Sequence, residues 1–404
     1  MTDYLFSGLK VLDVGTFIAG PVAGTILADF GADVIKVEPP GIGDPLRRLS
    51  FIPTTPDSES NYFWNMDARN KRSIVLDLKS EEGRAILHKL IEQCDVYITN
   101  QPFPVRESLK LNYEDIKPIN PRMIYASLSA YGEKGPDKDG KGFDLVAYWA
   151  KSGLMDLMRP TDSSPTQAVP GMGDHPTAVS LYASILTALI HREKTGEGSM
   201  AHTSLIANGI WSAASIAQGG LAASDNMEGY RQRYAKPKGL AGRVYRTKDN
   251  RWLQITMLRT PEQLASLLAV LGLSEVISDE RFASREARAL HTVELSDLVQ
   301  DALLKEDSED WLEVFAEFDV PMNRVSTVEE AIGNEQFKVN DVIVSPADTE
   351  SDSHLILNHP VKVTGVEQVG PKRAPDHGEH SEQILLGLGY SDEDIRMLRE
   401  KGII

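Results

Sequence analysis

Along the first 150 residues, short continuous apolar runs alternate with amphipathic stretches. Leu9–Val14 (LKVLDV) has the length and composition of a buried strand, and Gly15–Pro21 follows as a loop. Val22–Phe30 predicts a helix with small residues on one side, stopped by Gly31, and Asp33–Val37 predicts a second strand. The alternation continues with a strand at Ser73–Leu78, an amphipathic helix at Glu81–Gln93, and strands at Asp95–Thr99 and Met123–Leu128. Strand–helix–strand repetition is the unit of a parallel sheet, so this part reads as α/β, doubly wound and Rossmann-like.

Thr177–Arg192 is apolar nearly all round and predicts a deeply buried helix. Ile206–Ala223, rich in small residues, predicts one further helix leading out of the domain. A basic stretch follows, carrying Arg231, Arg233, Lys236, Lys238, Arg243 and Arg246. Trp252–Met257 then reads as a strand, and Pro261–Leu271 and Val293–Phe318 read as helical. Strand patterns return at Asp341–Val344 and His359–Thr364, and a charged helix at Asp392–Lys401 ends the chain. These patterns divide the chain into a first α/β part at 1–205, a linker helix at 206–225, a smaller α+β domain at 226–330 and a return segment at 331–404.

The length of 404 residues fits two domains, and 41% hydrophobic with 25% charged residues fits a globular enzyme. One cysteine, Cys94, excludes a disulfide framework or a multi-cysteine metal site, and it reads as a small half-buried residue. No metal-site spacing of histidines is present. A net charge of -17 argues against nucleic acid and anionic membrane as partners. No signal pattern opens the chain, and the longest apolar stretch, Val179–Ile190, is far short of the ~20 residues that span a bilayer, which predicts a cytoplasmic protein.

Three segments carry candidate chemistry. The loop GTFIAGPVAG could bring backbone amides to a phosphate at a helix N-terminus, with Glu38 where dinucleotide folds keep a ribose-binding acid. Its glycines are spaced G-x4-G-x3-G, however, so an NAD oxidoreductase is a distant reading. Lys71, Arg72 and Lys79 bracket a buried strand, where ligands of α/β sheets collect; Arg106, Lys134, Lys138 and Lys141 add to this basic set. PGMGDHPT, residues 170–177, opens the long helix, with Pro176 suited to its first position. Asp174 is then either a helix cap or a nucleophile. Gly171 and Gly173 clear space around its carboxylate and offer amides to an oxyanion, and the helix dipole favours its ionised form by ~0.3–1 kcal/mol. His175 is placed to contact substrate, and no G-x-S-x-G elbow competes for the role of nucleophile.

The segments GLKVLDVGTFIAGPVAGTILADFGADVIKVEPPGIGDPLR, NKRSIVLDLKS, NPRMIYASLSAYGEKGP, GMGDHPTAVSLYASILTALIHREKTGEGSMAHTSL and ILLGLGYSDEDIRMLREKGII, taken in this order, resemble the class III coenzyme A transferases of the CaiB/BaiF family. The resemblance covers essentially the whole chain. It implies an α/β large domain built from both chain ends, a small domain, and two subunits threaded as interlocked rings. It places the nucleophilic aspartate on Asp174 and coenzyme A contacts on Phe17, Ile18 and Ala19, on Leu76 and Lys79, on Asn100 and Gln101, and on Lys141 and Phe143. The implied substrates are an acyl-CoA and a small free acid, with no permanently bound cofactor. Pro39 and Ser108 stand where oxalate-type members carry basic residues, which shifts phosphate recognition toward Arg47, Arg48 or Arg106. The formyl-CoA transferases' glycine-rich lid is missing too. GFD at 142–144 and GDH at 173–175 are closer to transferases for 2-hydroxy acids and related enoates, with dicarboxylate and carnitine-type transferases as the alternative. A methylacyl-CoA racemase of the same fold would need a histidine where Phe143 stands.

Overall fold

A computed structural model describes residues 3–160, 162–223, 227–234 and 239–404. It divides into two compact units, one of residues 1–156, 167–214 and 335–404, the other of residues 157–166 and 215–334.

The first unit is built on six parallel strands, β1 (Lys10–Asp13), β2 (Asp33–Glu38), β3 (Arg72–Val75), β4 (Val96–Thr99), β5 (Ile124–Ser129) and β6 (Ser199–Ser204), in the order β3-β2-β1-β4-β5-β6. Five of the six are buried over nearly their whole length, as expected of a parallel sheet covered on both faces. Helix α1 (Ala19–Asp29) connects β1 to β2 and is buried at every residue. Its composition of Gly, Ala, Val, Leu and Ile lets the sheet and the long helix Asp174–Thr195 approach it. Helices α2 (Tyr62–Asp67), α3 (Glu81–Ile91) and α4 (Phe103–Leu109) follow. Ser80 caps α3 through the Gly83 amide, and Ile86, Leu87, Leu90 and Ile91 form its buried stripe. The chain end joins the same core through Ile384, Leu385, Ile395, Leu398 and Ile403, and the Asp77 amide donates to the Ile403 carbonyl at 2.8 Å.

The second unit has an antiparallel sheet, β7 (Val244–Arg246), β8 (Trp252–Ile255) and β9 (Met322–Arg324). Helices Pro261–Val270, Thr292–Leu303 and Ser308–Glu317 enclose its core around Tyr245, Leu253, Leu267, Val299 and Phe315.

Several expectations change. The long helix is buried along one face only, through Thr177, Ala178, Leu181, Tyr182, Ile185 and Ala188, while Ile190 is 58% exposed. The single helix expected at 206–223 is two, Leu205–Ser212 and Ala214–Ala222. The Ser212 hydroxyl donates to the Asn208 carbonyl one turn back and meets the Tyr148 hydroxyl, a pattern that bends helices. No strand forms at 359–364, where Pro360 lacks an amide to donate; Ile356–Leu357 pairs with Ile343–Val344 instead. Cys94 is fully rather than half buried, and burial pushes its thiol pKa up. Among the described residues no helix is long and apolar enough to cross a membrane.

Candidate active site

The strand order reverses between β1 and β4, and ligands of open α/β sheets bind at such a crevice beyond the carboxyl ends of the strands. The β1 and β4 ends are stitched together there. Asn100, just after β4, accepts from the Thr16 amide at 2.8 Å and donates to the Thr16 carbonyl at 2.7 Å. Phe17 follows with φ at 59°, a left-handed conformation that a bulky residue holds only when its surroundings demand it.

Those surroundings are a buried ion network beneath the loop. Lys36 pairs with Asp44 at 2.8 Å and Asp13 at 3.6 Å, and Lys71 pairs with Asp13 at 2.9 Å. Each partner also holds the loop backbone. Lys36 donates to the Gly15 carbonyl, Asp13 accepts from the Gly15 amide, Asp44 from the Phe17 amide, and Lys71 donates to the Pro21 carbonyl at 2.7 Å. Burial alone would raise the Asp13 carboxyl pKa, but Lys36 and Lys71 outweigh it and bring it below the ordinary range. Burial likewise opposes the Lys36 charge, and Asp13 and Asp44 outweigh it.

Beside this loop lies a second group of charges. Gly173 is the N-cap of the long helix, and Asp174 is its first helical residue. Pro176 is therefore third, not first, in the helix. The segment before it is held from below by Asp144, whose two oxygens accept from the Gly173 amide at 3.1 and 3.2 Å. Any side chain at 173 would collide with Asp144 and Tyr148, since a Cβ there would lie 2.3 Å and 2.4 Å from them. Gly173 is thus required by close packing and does not open the site. Gly171, at φ +81°, approaches Ile18 of the first loop, and Phe17 meets Phe143 edge to face at 5.4 Å. His175 Nδ1 lies 2.9 Å from the Gly171 carbonyl, and Nε2 lies 3.2 Å from Asp67 Oδ1 at the end of α2.

Three carboxylates, Asp67, Asp144 and Asp174, and one imidazole therefore share this corner. Burial first, then Asp144 and Asp67, push the Asp174 carboxyl up to about 7, with His175 acting in the opposite direction. The expected dipole-stabilised anion is overridden, because the dipole is worth less than burial beside like charges. The Asp144 carboxyl is also raised by burial, against the Gly173 and Gly171 amides. The Gly173 amide is therefore already taken and is not free for an oxyanion, contrary to expectation.

Phe17, Ile18, Ala19, Asn100 and Gln101 gather at the switch point, and Phe143 joins them with 65% of its surface exposed. Lys79 and Lys141 are exposed, whereas the Leu76 side chain is in the core and leaves only its backbone for a ligand. Lys71 belongs to the buried network and is closed to a phosphate, and Arg72 pairs with Asp33 at 2.6 Å on the surface. Glu38 is no ribose-binding acid: Arg47 clamps it at 2.8 Å through both oxygens, which also removes Arg47 as a phosphate ligand. Arg106 is buried and donates to the Gln101 carbonyl at 2.6 Å, while Arg48 is exposed. In the second unit Arg243 pairs with Asp297 at 2.6 Å, and Arg233 lies over the Tyr230 ring. Lys236 and Lys238 lie outside the described residues. Asp67 and the contact of Asp144 with Gly173 were missed by sequence reasoning; the adjacency of Asp67 to the NKRS segment was the one signal available.

The fold and this corner define a nucleotide-type α/β enzyme with an acidic centre at the switch point. Residues 6–381 match CoA-transferase family III, and the chain belongs to that family; it is a CoA-transferase. It is 30% identical over 406 residues to the (R)-2-hydroxy-4-methylpentanoate CoA-transferase of Clostridioides difficile, covering 99% of both chains. It is also 30% identical over 396 residues to the succinate–glutarate CoA-transferase of Agrobacterium fabrum, covering 95% of each. A CAIB/BAIF family protein from Brucella suis superposes with a TM-score of 0.83 at 29% identity, covering 96% of this chain and 100% of that one.

Proposed function

We propose that Asp174 is the nucleophile of a ping-pong transfer of CoA from an acyl-CoA to a free acid. A carboxylate oxygen of Asp174 attacks the thioester carbonyl carbon, the C–S bond breaks, and CoA leaves as thiolate. The thiolate then attacks the Asp174 carbonyl carbon of the mixed anhydride, and the donor acid departs as carboxylate. The enzyme–CoA thioester that remains is attacked at the same carbon by the acceptor carboxylate. The returning thiolate cleaves the new anhydride at the acceptor's carbonyl carbon, which frees Asp174. No net proton moves, so the chain needs no separate general base.

The observation that carries this reading is a half-buried carboxylate in the first turn of a helix, beside the switch-point loop. Coenzyme A would run past Phe17, Ile18 and Ala19 toward Asn100 and Gln101, with its phosphates toward Lys79 and Lys141. The rings of Phe17 and Phe143 beside the acid cluster favour an acceptor with an apolar side chain. A dicarboxylate would bring a further negative charge to three existing ones. A 2-hydroxy acid or related enoate is therefore the preferred acceptor. Two copies of the chain pair, in the interlocked manner the resemblance implies, covering apolar surface such as Ile190 and the 75%-exposed Trp211; a monomer at micromolar concentration in light scattering would refute the pairing.

Incubation with an acyl-CoA and hydroxylamine tests the nucleophile. Asp174 is expected to become a hydroxamate, seen as a mass change on the peptide containing GMGDHPT. Continued turnover with that peptide unmodified would refute the assignment. An acceptor screen read by mass spectrometry tests the substrate class, and equal rates with dicarboxylates and 2-hydroxy acids would overturn the preference.

A further inference from the structure

The His175 ring is fixed between two acceptors. A backbone carbonyl cannot donate, so Nδ1, 2.9 Å from the Gly171 oxygen, must carry a hydrogen. Nε2 faces a carboxylate oxygen, Asp67 Oδ1, at 3.2 Å. Neutral imidazole has one N–H, and only imidazolium donates from both nitrogens. The carboxylate that holds it is buried, and Asp67 Oδ2 has no hydrogen-bond donor among the described residues. An ionised carboxylate in that position needs a cation against its other oxygen. Asp67 itself is fixed at the end of α2, where its carbonyl accepts from the Thr25 hydroxyl of α1.

We propose that His175 is a positioning residue held as imidazolium at neutral pH by Gly171 and Asp67, and that its charge favours the ionised, attacking form of the adjacent Asp174. This rests on the reading of Asp174 as nucleophile. The groups facing the pair are Asp67 from α2, Asp144 from the segment after β5, and Asp174 on the same helix. Lys71 also feels the Asp67 charge but is committed to Asp13 at 2.9 Å. Asp144 and Asp67 both oppose ionisation of Asp174, so the imidazolium is the charge that works for it. Burial opposes the cation, yet Asp67, Gly171 and Asp174 together bring its pKa up to about 9, in keeping with the geometry. His175 takes no proton and gives none during transfer.

The test is the pH profile of kcat/KM together with nitrogen NMR of histidine-labelled enzyme. In the wild type the His175 ring should carry protons on both nitrogens at pH 8. In Asp67→Asn its titration should fall by at least one pH unit. His175→Gln should move the acidic limb of kcat/KM upward by at least one pH unit, with activity recovering on the alkaline side. His175→Lys should move the limb back toward the wild-type position. A limb that stays in place in His175→Gln, with activity lost equally at all pH values, would show a merely structural histidine and overturn the proposal. A neutral His175 ring at pH 8 in the wild type would overturn it even if the variants failed to fold, and would mean that Asp67 holds the proton. Hydroxamate formation at Asp174 in the wild type separates the outcomes: its absence refutes the nucleophile reading, whereas its presence with an unmoved limb refutes only the role of His175.

Discussion

Two clusters of charge lie side by side at the switch point, and they are built on opposite principles. Beneath the first loop, Asp13 and Asp44 face Lys36 and Lys71, two acids against two bases, all buried and all tied to loop backbone. Around Asp174, three acids share one imidazole. The first cluster is balanced in charge, and it holds Phe17 in a conformation the residue would not choose alone. The second is left with surplus negative charge, and burial together with that surplus raises the Asp174 carboxyl to about 7. A buried network balanced in charge positions; one with surplus charge is poised to react, because its members gain by meeting an incoming group.

The largest expected effect separates the two clusters by activity and stability together. Asp174→Ala should reduce transfer by on the order of 10^4-fold or more, since no other group can hold the acyl unit. The same change should raise unfolding free energy at pH 8 by about 1–3 kcal/mol after solvent screening, because a raised carboxyl costs stability when ionised and no cap is lost. Urea titration at pH 8 reads this, and a loss of stability would break the contrast.

Lys36→Met should act in the other direction. It leaves Asp13 and Asp44 buried with one base removed, and a broken buried pair costs about 3–5 kcal/mol. Denaturation that shifts by less than about 1 kcal/mol would mean the network is not the support it is taken to be.

The pH dependence of wild-type stability sharpens the comparison further. The Asp174 carboxyl pKa is raised from 3.8 to about 7, so the folded chain binds the extra proton and its stability falls as pH rises toward and through 7. The His175 pKa is raised from 6.5 to about 9, so its contribution is whole below 6.5 and is lost as pH climbs through 9. The melting temperature should therefore decline from pH 6.5 to pH 9; below pH 6.5 His359, whose pKa burial lowers to about 3, gives a rise that offsets the Asp174 decline, and Asp174→Ala should uncover that rise. A wild-type melting temperature that rises from pH 6.5 to pH 9 would contradict both assignments.

The smallest effect concerns the exposed cations. Lys79→Ala with Lys141→Ala should weaken CoA binding by roughly 3–10-fold and reduce its salt sensitivity, the size expected of screened surface charges. Unchanged affinity by calorimetry would show that the phosphates lie elsewhere, with Arg48 the next exposed cation to test.

The sequence by itself determined the strands and helices of the sheet, because apolar runs and amphipathic periods are local signals. LKVLDV and DVIKV could hardly fill anything but buried parallel strands, and GMGDHPT marked a helix start with an aspartate in it. The same segments carried the resemblance that pointed to coenzyme A transfer. Only the tertiary structure decided what each charge was for. Lys71 and Lys79 are eight positions apart and read alike, yet one is sealed against Asp13 and the other is open to solvent. Asp67 and Asp144 come from two separate segments, and nothing local says that they meet at Asp174 and His175. A charge is exposed or buried, paired or surplus, according to what the fold places opposite it, and that partner lies tens or hundreds of residues away.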